Sequence, residues 1–330
     1  MPRYGARVAT TPSTQRGNLI WLGYLMVAAS ATFAAGNGVF ASLIIDTGVE
    51  PSSLAATRIY GAGAILIFFF LPHIRKLRRG HVLPLALFGL IGLVLGQGAY
   101  FEAMSRADVA LVLVIIFTAP LVVAAYERVH LKEMLPAYAW GAIIVSVGGV
   151  ALAIFGQGGM PAISLVGFLF ALVAMIAYAV AVILAARLPT VFPPLARTGA
   201  CMVVAAVIWA LIVPPWTLPF DKLGETTTFA GRFGFSLPVW VAVLFVILVG
   251  SVGVYATWVG GTALVGAGAS SMVGMAEPVL GALFAWGLLG QYLATTQSIG
   301  IAIAVAGIIV VERARVRSAR ATEFDSLAEF

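Results

Sequence analysis

Ten long runs of apolar residues follow one another along the chain, separated by short polar segments. Their ranges are 19–43, 52–71, 83–104, 108–127, 135–155, 163–186, 195–213, 237–262, 266–289 and 294–311. A helix needs about 20 apolar residues to cross the hydrocarbon core of a bilayer. None of the runs alternates between apolar and polar residues, and each is too long for a barrel strand. The pattern predicts an all-α integral membrane protein with ten transmembrane helices.

The composition supports this interpretation. Apolar residues make up 62% of the chain, charged residues 10%, and the mean hydropathy is +1.06, whereas a soluble domain carries about 25% charged residues. The first run follows several arginines, as a cleaved signal peptide would, but its roughly 24 residues exceed the 7–15 of a signal core. We therefore interpret it as a span. The single cysteine, Cys201, excludes an intramolecular disulfide framework.

The basic residues predict the orientation. Ten spans place both termini on one side, where 15 of the 19 Lys and Arg residues lie; 3 lie on the other side, and Arg58 lies within a span. Loops rich in Lys and Arg stay in the cytoplasm. We expect a bacterial inner-membrane protein with two polar, poorly ordered cytoplasmic tails, 1–18 and 312–330. The basic surplus is expected to contact anionic lipid headgroups and not nucleic acid.

The second half of the chain repeats features of the first at an offset of 158 residues. Residues 100–133 align with residues 258–291, and a one-residue gap follows. The matched positions include Tyr100 with Trp258, Pro120 with Pro278, Gly141 with Gly300, and Gly148 with Gly307. Matched prolines and glycines are harder to obtain by chance than matched apolar residues.

This alignment divides the chain into two repeats, 19–155 and 163–311, with five spans each. Because five is odd, the second repeat enters the membrane in the opposite sense to the first. Inverted repeats are a recurrent plan of secondary transporters, which bind substrate near the midplane where the halves meet. A duplicated membrane protein that transports nothing is the alternative.

Both halves resemble the EamA-type unit of the drug/metabolite transporter superfamily. The matching stretches are DVALVLVIIFTAPLVVAAYERVHLKE in the first half and GASSMVGMAEPVLGALFAWGLLGQ in the second. Glu133 keeps the acid that often ends this motif in the family, whereas Gln291 departs from it, so a role for that acid does not extend to residue 291. The resemblance implies ten helices and export of small metabolites by alternating access, most similar to bacterial exporters of aromatic amino acids.

An acidic residue lies within the ninth span. Glu277 is about 11 residues, or about 16 Å, into the span, which places it near the midplane. Pro278 removes a backbone N–H and frees the carbonyl of Gly274. The pattern favours a contact with a ligand amine or a protonatable switch at Glu277, with helix breaks at Pro278 and its counterpart Pro120. A buried acid with a structural role is the alternative.

Aromatic and polar side chains recur at helical spacing and could line a cavity. The eighth span carries a stripe of Ser251, Tyr255, Trp258 and Thr262, and the third span offers Gln97 and Tyr100 at the positions that match Tyr255 and Trp258. The first and sixth spans offer Asn37 and Tyr178. Such rings stack on flat ligands and attract ammonium groups. Core packing is the simpler explanation for any one of them.

Two further pairings follow from position alone. Arg58 and Glu102 both fall in the outer half of their spans, and lone charges in a membrane are costly, so we expect a structural ion pair between them. Spans five and ten carry faces of small residues that suit close helix packing and could form a homodimer contact.

We conclude that the sequence favours a secondary-active or facilitative exporter of small metabolites. Its expected substrates are aromatic and other neutral amino acids. A broad drug or organic-cation exporter is the main alternative, and an intramembrane enzyme and a channel are the others. No phosphate-binding loop motif is present, and the three histidines lie near span ends without cysteine partners, so we expect no nucleotide, metal or other cofactor.

Overall fold

The computed structural model describes residues 13–104, 106, 109–132, 135–155, 164–229, 234–290 and 294–328. Within these residues, nine helical segments are long and apolar enough to cross a membrane. The fifth predicted span corresponds to an apolar helix whose apolar stretch, Ala137–Ala153, is shorter than the other nine. The prediction of a helical, multi-pass membrane protein is confirmed, and the count of ten spans depends on this shorter helix.

The α-helices bear the labels α1 to α14 in chain order. They are α1 Ser13–Ile45, α2 Pro51–Phe70, α3 Arg79–Leu87, α4 Gly96–Met104, α5 Val109–Ile116, α6 Ala119–Tyr126, α7 Ala137–Phe155, α8 Leu165–Ala185, α9 Pro194–Ile212, α10 Val239–Ile247, α11 Val254–Val265, α12 Ala267–Gly274, α13 Ala276–Leu289 and α14 Thr295–Ala328. Short 3₁₀ segments occupy Leu71–Lys76, Pro215–Thr217 and Phe220–Gly224.

Two of the spans are interrupted next to a proline. The fourth span consists of α5 and α6, and Pro120 is the second residue of α6. The ninth consists of α12 and α13, and Pro278 lies in the first turn of α13. A proline is tolerated in a first helical turn because its missing N–H has no intrahelical acceptor there. The breaks lie at equivalent places, since α5 and α12 end 158 residues apart.

Two other spans contain π-helical segments. Phe88–Leu95 joins α3 to α4, and Leu248–Gly253 joins α10 to α11. These segments also end 158 residues apart. A π-helical turn inserts an extra residue into the helix and occurs frequently at functional sites. A third π segment, Glu127–Leu131, ends the fourth span.

The helix packing separates an alanine-rich interior from a lipid-facing exterior. Ala56 in α2, Ala179 in α8 and Ala205 in α9 are fully buried, which lets these helices approach closely. Large side chains such as Phe68 and Leu211 are exposed. An exposed apolar exterior is expected for helices that face lipid.

Helices α7 and α14 pack against each other through small residues. A Cβ atom at Gly149 would collide with the backbone of α14, and one at Gly300 would collide with the backbone of α7. The Ser146 hydroxyl donates a hydrogen bond of 3.2 Å to the Ala304 carbonyl. The small faces therefore serve contact within the chain at these positions. A homodimer contact on the remaining part of the α7 face stays a prediction.

A pair of short strands precedes α10. Strand β1, Thr226–Thr228, pairs antiparallel with β2, Ser236–Pro238. The Thr227 hydroxyl donates to the carbonyl of Leu43 at 3.0 Å, which ties the strands to the end of α1. No pattern in the sequence predicts this pair, because strands of three residues are too short to show a periodicity.

The last helix runs through the predicted boundary between span and tail. The tail was expected to begin at 312, but α14 continues to Ala328. Glu312 and Arg315 lie within the packed part of the helix, with side-chain exposures of 16% and 12%. The helix therefore continues past residue 311 without interruption, and its charged residues have partners on other helices, described below.

Candidate functional site

A pocket lies between the second, third, seventh and eighth spans. Its lining residues are Ala55, Arg58, Ile59, Gln97, Met202, Ser251 and Tyr255. Three of them, Gln97, Ser251 and Tyr255, are predicted lining residues. In this conformation the free space is about 10 Å³, which is room for about one water molecule. A larger ligand would therefore require the helices to move apart.

The two halves of the chain meet at this pocket through equivalent positions. The Gln97 amide donates a hydrogen bond of 3.2 Å to the Tyr255 hydroxyl, and these residues are 158 positions apart. Each follows the end of a π segment by two residues. The Trp209 indole N–H donates to the carbonyl of Leu93 in the first π segment at 3.2 Å, which gives that altered backbone an additional partner.

Arg58 points into the pocket from α2. Its Nε donates to the Ser251 hydroxyl at 3.2 Å, and its Nη2 donates to the Gly250 carbonyl at 3.0 Å. The expected ion pair with Glu102 is not formed among the described residues, because Glu102 pairs with Arg106 one turn further along the chain. The predicted direction of Arg58 around its helix was therefore wrong.

Three aromatic side chains form a wall beside the pocket. The Tyr178 and Trp258 rings are parallel, with centroids 5.9 Å apart. Tyr255 lies 6.0 Å from Trp258 at a tilt of 56°. Phe88 packs on the other side, 5.8 Å from Trp258. Trp258 is only 9% exposed, so it supports the wall from behind, whereas the partly exposed Tyr178 and Tyr255 can meet a ligand.

Glu277 lies next to the break between α12 and α13 and is partly exposed. Among the described residues it makes no hydrogen bond or ion pair. Tyr178, a member of the aromatic wall, packs close to this break. Its hydroxyl lies 3.0 Å from the position that a Cβ atom on Gly274 would occupy. The charge of Glu277 acts on Arg58 and on the hydroxyls of Tyr178 and Tyr255. The acid, the arginine and the tyrosines therefore share one electrostatic environment.

Asn37 and Tyr100 lie at the edges of this group. Asn37 packs against Gly250, where a Cβ atom would collide with its amide group, and its Oδ1 is buried without a hydrogen-bond partner in the described part of the chain. Tyr100 packs beside Phe101, with ring centroids 5.4 Å apart, and is within electrostatic reach of Glu277 and Arg58. The predicted lining residues thus come from five of the spans.

A second polar cluster, which was not predicted from the sequence, joins the ends of four spans on the basic side of the protein. Glu127 at the end of the fourth span is 5% exposed. One of its oxygens accepts from the Gly268 N–H at 2.6 Å, at the start of α12, and the other accepts from Arg315 at 2.8 Å. A carboxylate at a helix N-terminus is favourable because unpaired N–H groups point toward it.

The cluster continues to the first span through Glu312. The Tyr24 hydroxyl donates to Glu312 at 2.6 Å, and Arg315 lies 3.9 Å from the other Glu312 oxygen. Two carboxylates thus share one guanidinium. In the sequence-based prediction Glu127 was the last residue of the fourth span and Arg315 belonged to the tail, and no contact between them was expected. The available signal was an acid within the last turn of an apolar run, which is costly without a partner. We call Tyr24, Glu127, Gly268, Glu312 and Arg315 the basic-side cluster.

Comparison with known proteins assigns the chain to a family. A model of the EamA-like transporter family matches residues 21–155 and matches again at residues 165–313. The chain belongs to the EamA-like transporter family. The resemblance of the two halves to that unit is thereby confirmed, and the protein is a transporter of the drug/metabolite superfamily. Glu133 and Gln291, which end the family motif in the two halves, lie outside the described residues.

Individual relatives agree with this assignment. The EamA-like chain is 23% identical over 297 residues to the uncharacterized transporter YwfM of Bacillus subtilis, covering 88% of this chain and 93% of that protein. It is also 23% identical over 310 residues to the uncharacterized inner membrane transporter YicL of Salmonella typhimurium, covering 91% and 98%. A solved crystal structure shares the fold with a TM-score of 0.70 at 18% identity, covering 89% of this chain and 98% of that one.

Proposed function

We propose that this EamA-like transporter exports small metabolites, above all aromatic and other neutral amino acids, by alternating access. The observation that carries the proposal is the partly exposed Glu277 at a helix break, beside the partly exposed rings of Tyr178 and Tyr255. The break frees backbone carbonyls that a polar ligand can use, the carboxylate suits an amino group, and the rings suit an aromatic or apolar side chain.

The proposal includes ten spans arranged as two inverted five-helix repeats. The family model matches the chain twice, at residues 21–155 and 165–313. Paired helix breaks and paired π segments recur at the same offset that separates Gln97 from Tyr255. Near a two-fold axis, equivalent residues from the two halves contact each other, as Gln97 and Tyr255 do. With five spans in each repeat, the second half runs opposite to the first.

The basic-side cluster supplies a closed gate for such a cycle. It holds together the ends of the first, fourth, ninth and tenth spans, and the fourth and ninth are the two spans with helix breaks. The Nε and Nη2 atoms of Arg315 are buried without hydrogen-bond partners in the described part of the chain. A partly satisfied cluster stabilises the closed arrangement less than a complete one, which allows it to open.

We further propose that the protein lies in a bacterial inner membrane with both termini in the cytoplasm. The distribution of Lys and Arg supports this orientation, and the relative YicL is named an inner membrane transporter. In this orientation the basic-side cluster faces the cytoplasm. Substrate would enter from the cytoplasm after the cluster opens and leave on the other side.

Uptake of labelled neutral amino acids into liposomes that contain the purified protein tests the proposal. Saturable uptake without a proton gradient would indicate a facilitative carrier, and uptake that needs the gradient would indicate proton coupling. Protein-free liposomes and a Glu277→Gln variant serve as controls. Absence of uptake of every amino acid tested, by protein shown to be folded, would refute the amino-acid assignment.

One observation favours a second candidate function, the export of drugs or organic cations. Among the residues that the structure describes, no cationic side chain pairs with Glu277, and the ring of Tyr178 lies near it, which also suits a quaternary ammonium ligand. Saturable uptake of labelled tetraphenylphosphonium that neutral amino acids do not inhibit would support this alternative. Inhibition of amino-acid uptake by amino acids alone would exclude it.

A further inference from the structure

Arg58 is a charged residue within a span that does not form the expected ion pair with Glu102. Arg58 lies within a span and contributes to the pocket, yet its hydrogen bonds go to uncharged groups, the Ser251 hydroxyl and the Gly250 carbonyl. An arginine within a membrane span is energetically costly, and such residues usually mark a substrate or ion pathway. Fixing a helix contact with two neutral acceptors does not require a positive charge.

The hydrogen bonds of Arg58 use only one edge of its guanidinium. A guanidinium carries five N–H donors in a planar fork. Nε and one Nη2 hydrogen form the edge that meets Ser251 and Gly250. Nη1 makes no hydrogen bond with the described residues, and it is not sealed from solvent. The edge formed by Nη1 and the second Nη2 hydrogen is therefore available, and it matches the spacing of two carboxylate oxygens.

The orientation of this fork is fixed before any ligand arrives. The Ser251 hydroxyl donates in turn to the carbonyl of Val246 at 3.1 Å, in the turn that leads into the second π segment. Gly250 packs directly against Asn37, so closely that a Cβ atom at residue 250 would collide with the Asn37 amide group. A side chain with a fixed orientation loses less conformational entropy on binding than a free one.

A second ionisable group, Glu277, lies within electrostatic range of Arg58. Glu277 and Arg58 interact electrostatically but form no ion pair with each other among the described residues. Neither charge neutralises the other by direct contact. A zwitterion would satisfy both groups at once, whereas a cation would meet repulsion from Arg58.

We propose that Arg58 is the specificity-determining residue that binds the carboxylate of the substrate, so that the protein selects zwitterions over amines. The inference rests on the proposed function, because it names the ligand chemistry of the same cavity. It also assigns a direction to the bound ligand, with its carboxylate toward α2 and the π segment 248–253 and its ammonium toward Glu277 and α13.

Competition binding with three matched probes tests this inference on the purified full-length protein. L-phenylalanine carries a carboxylate, L-phenylalaninamide replaces it with a neutral amide, and 2-phenylethylamine lacks it. Charge-assisted hydrogen bonds contribute enough that the wild-type protein is expected to bind phenylalanine about 10- to 100-fold more tightly than the other two. Arg58→Gln should abolish most of this preference, and Arg58→Lys should keep part of it. Arg75→Gln, on the exposed end of the second span, is the control.

The outcomes separate the inference from the proposed function. Binding of phenylalanine without discrimination against the amide would overturn the role of Arg58 and leave amino-acid export in place. Failure of folded wild-type protein to bind phenylalanine would refute both. If Arg58→Gln does not fold, the wild-type preference and the Arg58→Lys variant decide the matter. An unchanged preference in Arg58→Lys would count against a bidentate contact, since a lysine cannot present two fixed parallel donors.

Discussion

Removal of the Glu127 carboxylate should open the basic side of the protein. Both oxygens of Glu127 accept short hydrogen bonds, from the Gly268 N–H and from Arg315, and the side chain is 6% exposed. Removing one partner of a buried ion pair costs about 3–5 kcal/mol, because the other charge is left without a partner. If the cluster forms only when the basic side is closed, a loss of about 3 kcal/mol shifts the equilibrium between closed and open states by about 150-fold.

Cysteine labelling can measure this shift. Cys201 is the only cysteine and is buried, so Cys201→Ala gives a suitable background. Ser271 is 1% exposed and lies one turn beyond Gly268 in α12. A Ser271→Cys side chain should be protected from a membrane-impermeant maleimide in the parent protein and labelled much faster with Glu127→Ala.

Matched variants separate a gate from a merely structural contact. Glu127→Gln keeps the size and an acceptor for the Gly268 N–H but loses the charge, so it should give intermediate labelling. Glu225→Gln changes an exposed acid outside the spans and should have no effect. A double-mutant cycle with Arg315→Ala should show a coupling energy of about 1–3 kcal/mol in stability. Lower stability of Glu127→Ala with unchanged labelling of residue 271 would refute the reasoning.

Three other predictions follow from the cavity. If proton coupling runs through Glu277, Glu277→Gln should abolish transport driven by a pH gradient while downhill counterflow survives, both measured in liposomes. Unchanged pH-driven transport would exclude Glu277 as the proton site. Trp258→Ala should lower the free energy of unfolding by about 3–5 kcal/mol in a denaturation assay. It should also weaken transport of aromatic substrates more than transport of aliphatic substrates. Equal losses of transport for the two substrate types would indicate a packing role alone. Gly250→Ala should lower the free energy of unfolding by about 1–3 kcal/mol, because its Cβ atom would collide with Asn37. The control Gly224→Ala, at a position with open space around it, should lower the free energy of unfolding by less than about 0.5 kcal/mol. Similar losses in both variants would contradict the tight contact.

The spans and their interruptions could be predicted from local signals. Apolar runs of sufficient length gave the helices, and the breaks in the fourth and ninth spans lie beside Pro120 and Pro278. The internal alignment also brought together Gln97 and Tyr255, which form a hydrogen bond. These features depend on residues near each other in sequence or on a simple offset.

The partners of charged residues could not be predicted in the same way. Depth along a helix follows from residue number, but direction around it depends on tertiary packing, so Arg58 was assigned to Glu102 when it faces Ser251. The i,i+4 spacing of Glu102 and Arg106 was the local signal that would have corrected this. The contact between Glu127 and Arg315 spans 188 positions, and no local pattern encodes it.

Helix α14 continues without a break from the basic-side cluster to Ala328, so movement at the cluster is transmitted along the helix. From Arg315 the helix extends 13 residues to Ala328, or about 20 Å at 1.5 Å per residue. A rigid rod transmits rotation at one end as a larger displacement at the other, so movement of a few degrees at the basic-side cluster becomes a shift of ångströms at the tip. A fluorophore attached near Ala328 would report on gate movement, and a bulky domain fused there would resist it.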